Sequence, residues 1–280
     1  MTKRIPATVF LIAAALLLTS CQTIGYGSKQ HNNSSVVEYL YSDRKAPPQV
    51  PSIPNLTLPL KVAIAFVPGR DNSILDEPFR MELADRVARE FETQPFVKEI
   101  QRIPGSYLTP KGGFENLDQV RTMYGTDVVA LISYDQVQHT DEGMLSVLYW
   151  TLVGLYVVNG EKNDTSTMLD AAVFDIPSRK MLFRAPGISH VKGEATPINL
   201  SEKRRLDSRK GFEEAAGLMT GNLKKELDAF KEKVKKQPEQ YKVIQSSEYR
   251  GGGATDLPSA FLLLALTGFA LLCGKRGLRA

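Results

Sequence analysis

The hydrophobic pattern of the first half of the chain predicts three strands that alternate with two helices. Apolar, β-rich runs bounded by turn residues predict buried strands at residues 60–67, 96–103 and 127–134. Apolar residues at four-residue spacing predict a helix over residues 78–92, and a shorter helix over residues 114–124 ends at a glycine. The order is β-α-β-α-β.

The second half predicts a hairpin followed by a long helix. Residues 167–175 and 180–191 alternate between apolar and polar positions, and a proline-containing turn joins them. Residues 202–236 have one apolar helical face. With an insertion before the hairpin, the order βαβαβ(insertion)ββα predicts an α/β fold, a two-layer sandwich in which a mixed sheet packs against helices.

The amino terminus has the pattern of a lipoprotein signal peptide. Lys3 and Arg4 precede an apolar run over residues 9–18, and the small Ser20 stands directly before Cys21. This resembles the lipobox of bacterial lipoproteins, which implies that Cys21 is acylated and that signal peptidase II removes residues 1–20. The lipoprotein acyl-transfer machinery would then be a partner, and palmitate a fitting acyl group. The alternatives are an uncleaved anchor and an ordinary secretory signal.

The carboxyl terminus begins with Gly251, Gly252, Gly253 and Ala254, which cannot hold a stable helix. Residues 257–274 carry no charge, and this run is long enough for a short membrane span. Three basic residues follow it. This order resembles the GlyGly-type tails recognised by rhombosortases, relatives of the rhomboid proteases. The resemblance implies cleavage among these four residues by a rhomboid-type sorting protease. The alternative is a permanent tail anchor in the inner membrane.

Both signals together resemble the rhombotarget lipoprotein family. The resemblance implies a bacterial envelope protein that is lipid-anchored at the outer membrane or cell surface after processing; it implies no activity. The element order also resembles the small periplasmic domain of curli-channel-type lipoproteins and of the Tol-system propeller protein, which implies a binding or assembly module. The expected parts are a signal peptide at 1–20, a lipidated tether rich in Pro, Ser and Asn at 21–59, an α/β domain at 60–237, a linker at 238–250 and a sorting tail at 251–280.

Charge and cysteine content add two expectations. The net charge of +4 comes from the two signals, because residues 1–20 hold two basic residues and residues 251–280 hold three basic residues and one acid. The mature chain is therefore near neutral, and we expect no nucleic-acid partner. The two cysteines are Cys21 and Cys273, so the mature domain has no free thiol or disulfide. The basic cluster at 203–205, with Arg209 and Lys210, is interleaved with Glu202 and Asp207 and predicts a solvated helix face; contact with phosphate headgroups is the alternative.

The candidate chemistry of the domain is sparse. The three histidines lack ligand-like spacing, so we expect no metal, and no motif indicates a nucleophile or a cofactor. These histidines are His31, His139 and His190. We therefore predict a non-catalytic protein. The alternative is an envelope enzyme that uses strand-end carboxylates, for which Asp135, Asp141 and Asp175 are the candidates.

One uncharged run stands out in the insertion. Residues 144–158 include the only tryptophan, Trp150, with Tyr149 and Tyr156 beside it. Fifteen residues are short for a spanning helix. A buried core segment is one interpretation, and an interface with a membrane, an envelope protein or a second copy is the other.

Overall fold

The computed structural model describes residues 28–41, 52–69, 75–142, 161–195, 199–247 and 249. The signal peptide, Cys21, the uncharged run at 144–158 and the glycine-led tail lie outside the described residues.

Eight strands and four α-helices, with one turn of 3₁₀-helix, make up the described part of the chain. The strands are β1 (Ser28–Asn33), β2 (Asn55–Leu58), β3 (Leu60–Phe66), β4 (Val97–Ile103), β5 (Val128–Glu142), β6 (Glu161–Asp175), β7 (Lys180–Ala195) and β8 (Lys242–Gln245). The helices are α1 (Val36–Leu40), α2 (Glu77–Arg89), α3 (Gly113–Tyr124) and α4 (Leu200–Lys236), and the 3₁₀ turn is Gly105–Tyr107.

The main sheet is mixed and has the order β4-β3-β5-β6-β7. β3 is parallel to both β4 and β5, whereas β5, β6 and β7 are antiparallel neighbours. β1 pairs antiparallel with the second half of β5, on the edge that β3 occupies along the first half. A separate two-stranded sheet joins β2 to β8 in parallel. The predicted α/β class, with a mixed sheet packed against helices, is confirmed.

Alternating side chains of the central strands form two hydrophobic clusters. On one face, residues such as Ile64 and Ile132 pack against α2 and α4. On the other face, residues such as Ala65 and Leu131 pack against α1 and α3. Farther along β5, β6 and β7, α4 is the one helix among the described residues that packs on the sheet, so the described part there is a two-layer sandwich.

Local sequence explains where the smaller helices begin and end. The side chain of Asp76 accepts a hydrogen bond from the backbone N–H of Phe79 at 3.0 Å, and a proline stands in the first turn of α2. α3 ends at Gly125, whose φ of 65° is a left-handed conformation that glycine adopts without strain. These caps fix how α2 and α3 enter and leave the sheet.

The domain is larger than the expected 60–237. Within the expected tether, Ser28–Asn33 and Asn55–Leu58 are strands and Val36–Leu40 is a helix; within the expected linker, Lys242–Gln245 is a strand. β1 is entirely polar, and its backbone completes the free edge of β5. Hydrophobicity gives no sign of such a strand. The strands expected at 127–134, 167–175 and 180–191 also extend well beyond those bounds.

Candidate interaction site on the long ribbon

Strands β5, β6 and β7 form a three-stranded ribbon, and its two ends are used as landmarks below. The proximal end is where Val128 lies opposite Asp175, and the distal end is where Glu142 lies opposite Glu161. β5 and β6 each have 15 residues, so the ribbon is about 50 Å long at 3.4 Å per residue. The register between them has no shift along this length.

The distal end is where the chain leaves and rejoins the ribbon around the insertion. It leaves after Glu142 and rejoins at Glu161, which are register partners. The candidate interface residues Trp150, Tyr149 and Tyr156 belong to this connection, so both of its attachment points lie at the distal end. Their own positions lie outside the described residues.

Between the ribbon and the first turns of α4 the packing is polar. Gln136 lies buried at its centre, and its Nε2 donates to Thr167 Oγ1 at 2.7 Å and to the carbonyl oxygen of Ser208 at 3.1 Å. Ser208 Oγ donates back to Gln136 Oε1 at 2.6 Å. Buried polar groups need such partners, because an unpaired one costs about 1–3 kcal/mol. The layer therefore fixes one register between helix and sheet.

The same pattern continues towards the distal end. Gln138 Nε2 donates to Thr165 Oγ1 at 3.1 Å and to the carbonyl oxygen of Arg204 at 2.8 Å. Asn163 Nδ2 donates to Asp207 Oδ2 at 2.9 Å. The contact between α4 and the sheet is thus hydrophobic towards the proximal end and hydrogen-bonded towards the distal end. In the distal part, α4 is held by polar side chains and not by an apolar face.

A cleft opens beside this layer, between β1, the start of α2 and the start of α4. Its volume is about 340 Å³, and three arginines of α4 line it: Arg204, Arg205 and Arg209. Arg204 Nη2 donates to Gln30 Oε1 at 2.7 Å. Arg209 lies 4.0 Å from the centre of the Phe79 ring and pairs with Glu82 at 2.7 Å.

The cleft changes the interpretation of the basic cluster at 203–205. Within the described residues, neither Arg204 nor Arg205 pairs with a carboxylate. The solvated helix face expected there therefore includes arginines that border a cleft.

The face of the ribbon opposite α4 carries the histidines. His31 Nε2 lies 2.7 Å from Asp135 Oδ1, and Ser166 Oγ lies 3.0 Å from His190 Nδ1. His139 is exposed near the distal end. Ile188, on the same face, is 52 % exposed. Within the described part of the chain, no three His, Cys, Asp or Glu side chains converge as metal ligands.

The three candidate carboxylates are spread along the ribbon. Asp135 lies opposite Met168 of β6, and Asp175 follows Met168 by seven residues on β6, about 24 Å farther along the ribbon. Asp175 is fully buried at the proximal turn, where its Oδ2 accepts the backbone N–H of Ser178 at 3.0 Å. Burial raises the pKa of Asp175. The backbone of Asp141 lies next to the distal end. One substrate cannot contact all three.

The chain matches no protein-family model and no curated protein sequence. None of the helices in the described ranges is long and apolar enough to cross a membrane.

The polar layer and the cleft are the features that sequence reasoning missed. The sequence does contain a pattern for these strands, but its buried positions are polar. Every second residue of this part of β5 is buried and polar (Gln136, Gln138 and Thr140), and Thr167 and Thr165 of β6 lie opposite the first two. A period of two indicates a strand whatever the chemistry of its residues. Apolar residues alone predict that β5 ends at residue 134, whereas it continues to residue 142, and that β6 begins at residue 167, whereas it begins at residue 161.

Proposed function

We propose that this chain is a non-catalytic lipoprotein of the bacterial cell envelope. In this proposal it is acylated at Cys21, cut among Gly251, Gly252, Gly253 and Ala254 by a rhomboid-type sorting protease, and held by its lipid at the outer membrane or cell surface. There the domain acts as a binding or assembly module. Its partner is an envelope protein or a second copy of the chain.

The two terminal patterns support the processing steps jointly. An acyl anchor can be extracted from one membrane and moved to another, whereas a transmembrane helix is effectively permanent. A lipobox on the same chain as a glycine-led tail is therefore consistent with outer-membrane delivery only when the tail is removed. Signal peptidase II, the acyl-transfer machinery and the sorting protease are the processing partners.

The single observation that favours a binding module is the ribbon itself. The uncharged connection that contains Trp150 is attached to the ribbon at its distal end. Both hydrophobic clusters lie towards the proximal end, and the polar layer lies between them and these attachment points. A run that served as plain core would be expected to be attached near those clusters. Aromatic residues are typical anchors of interfaces.

An envelope enzyme remains the second candidate because of one specific pair. His31 and Asp135 lie in hydrogen-bond contact and are both nearly half exposed, as a general base and its orienting carboxylate would be. The Ser166–His190 pair lies two strands away from His31, across β5 and β6. These are two separate pairs on an open face, and a triad needs its three groups in one chain of contacts.

Labelling and substitution separate these proposals. A palmitate analogue supplied to growing cells should label the wild-type protein and not the Cys21→Ala variant; equal labelling of both would refute acylation. Asp135→Asn and His31→Ala, made separately, should leave the cellular phenotype intact if the protein is a binding module. A null phenotype from either change at normal protein level would favour the enzyme.

A further inference from the structure

The register of β1 fixes where the proposed lipid anchor joins the domain. Ser28 lies opposite Thr140, close to the distal end of the ribbon, and β1 runs from there towards the centre. Seven residue steps separate Cys21 from Ser28. A fully extended chain spans at most about 3.4 Å per step, so this connection reaches no more than about 24 Å. The distal end is thus held near the lipid.

The carboxyl-terminal tail joins at the other end. β8 pairs with β2, and Gln245 lies opposite Leu58, two residues before the start of β3. β3 in turn pairs with the proximal end of β5, Val62 opposite Val128. Thr140 lies twelve residues beyond Val128, about 40 Å along the strand. The two proposed attachment points are therefore at opposite ends of the ribbon.

The arginine-lined cleft lies in the distal half of the ribbon, beside Gln138, four residues before the distal end. Gln30 of β1 and Gln138 of β5 form its wall on the sheet side, and Ser201, Arg204 and Arg205 form its wall on α4. Asp76 also lines the cleft, and its carboxylate caps α2 by accepting the backbone N–H of Phe79. Guanidinium groups suit phosphate because they donate several parallel hydrogen bonds. Among the described residues neither Arg204 nor Arg205 pairs with a carboxylate, and Arg204 donates to Gln30, so two guanidinium groups border the cleft.

We propose that the distal end of the ribbon faces the lipid surface in the mature protein, with Arg204 and Arg205 contacting headgroup phosphates. The proximal end, with the β6–β7 turn, then points away from the membrane. The inference rests on the proposed acylation of Cys21. It also gives tail removal a mechanical consequence, because an uncut tail would tether the proximal end to the membrane as well.

The test places a fluorescent label at either end of β7 in the acylated mature protein, bound to vesicles that contain anionic lipid. Lys192→Cys carries the label near the distal end and Lys180→Cys carries it at the proximal end; both positions are exposed. The mature chain has no other free thiol once Cys21 is acylated. A quencher attached to lipid headgroups should cause a strong loss of fluorescence at position 192 and little loss at position 180.

Equal quenching at both positions, or stronger quenching at position 180, would overturn the proposed orientation. The intact mass of each preparation is measured first, so that an unacylated Cys21 is recognised as a failure of the proposed function and not of the orientation. Vesicles of phosphatidylcholine alone test the contribution of headgroup charge. Choline balances the phosphate of this lipid, so quenching at position 192 should be weaker than on vesicles with a net negative surface.

Substitution of the arginines tests their part. Arg204→Gln with Arg205→Gln should reduce the quenching at position 192 on anionic vesicles. The matched control, Lys225→Gln with Lys236→Gln, removes the same charge from exposed positions farther along α4 and should leave the quenching unchanged. Equal quenching in both double variants would refute the arginine contact.

Discussion

Gln136 and Ser208 exchange two hydrogen bonds across the interface between the sheet and α4, with Gln136 Nε2 donating to the Ser208 carbonyl oxygen at 3.1 Å and Ser208 Oγ donating to Gln136 Oε1 at 2.6 Å. The pair lies next to the end of the hydrophobic core, and it holds α4 to the ribbon in one register.

We expect Gln136→Ala to lower the free energy of unfolding by about 2–4 kcal/mol. The change removes three hydrogen bonds and leaves Thr167 and Ser208 buried with fewer partners, and each unsatisfied group costs about 1–3 kcal/mol. Urea unfolding of the purified domain measures the loss. The control is Gln240→Ala at an exposed position, with an expected change within about 0.5 kcal/mol. A loss of similar size in both variants would contradict the role of the polar layer.

Gly187 marks the closest approach of α4 to β7. A Cβ atom there would overlap the carbonyl oxygen of Ala215 and the backbone nitrogen of Met219, and backbone atoms cannot move aside cheaply. We expect Gly187→Ala to destabilise the protein by about 1–3 kcal/mol, the usual cost of overpacking. Gly217→Ala has open space around it, and we expect it to stabilise α4 by up to about 1 kcal/mol. Thermal melts of the two variants should move in opposite directions, and a parallel shift would contradict this packing.

Asp175 should make stability depend on pH. Burial raises its pKa above the unfolded value of about 3.9, so the folded state binds this proton more tightly. Its contribution to stability is fully present below the unfolded pKa and is lost as the pH rises through the folded pKa. Asp175→Asn still offers an oxygen to Ser178 and has no charge to bury.

Between pH 4 and pH 7, wild type should therefore lose more unfolding free energy than the Asp175→Asn variant. Denaturant titrations at both pH values measure this difference. The control, Asp164→Asn at an exposed position of the same strand, should keep the wild-type profile. Identical profiles for wild type and Asp175→Asn would show that the buried carboxyl has no such effect.

Trp150→Ala tests whether the uncharged insertion is an interface or core. If Trp150 is an interface anchor, the melting temperature should stay nearly constant while self-association or partner capture is lost. If it is part of the buried core, the free energy of unfolding should fall by about 3–5 kcal/mol, the usual cost of removing a buried large aromatic side chain. Thermal melts and sedimentation of the mature protein distinguish the outcomes, and a large melting loss with unchanged assembly would contradict the interface.

The elements that sequence predicted well are those with apolar residues at regular spacing. β3, β4, α2, α3 and α4 all begin and end within a few residues of expectation, because their burial is hydrophobic and local. Among the elements it missed, β1 and the distal halves of β5 and β6 are held by polar partners far away in sequence. Gln30 and Arg204, for example, are 174 residues apart. A contact between residues so far apart cannot be predicted from a local sequence pattern.

The same distinction applies to the candidate site. Cys21 and the glycine-led tail are local motifs, so sequence alone names them. The position of their attachment points at opposite ends of the ribbon depends on the pairing of Ser28 with Thr140 and of Leu58 with Gln245, which only the folded chain provides. The orientation proposed for the mature protein follows from those two pairings.

The intact mass of the mature protein, extracted from the cell envelope, tests the proposed processing most directly. We predict a chain that begins at an acylated Cys21, lacks residues 1–20 and ends among Gly251, Gly252, Gly253 and Ala254. Recovery of Arg279 in the mature form, or an unmodified Cys21 at its amino terminus, would contradict the proposed processing.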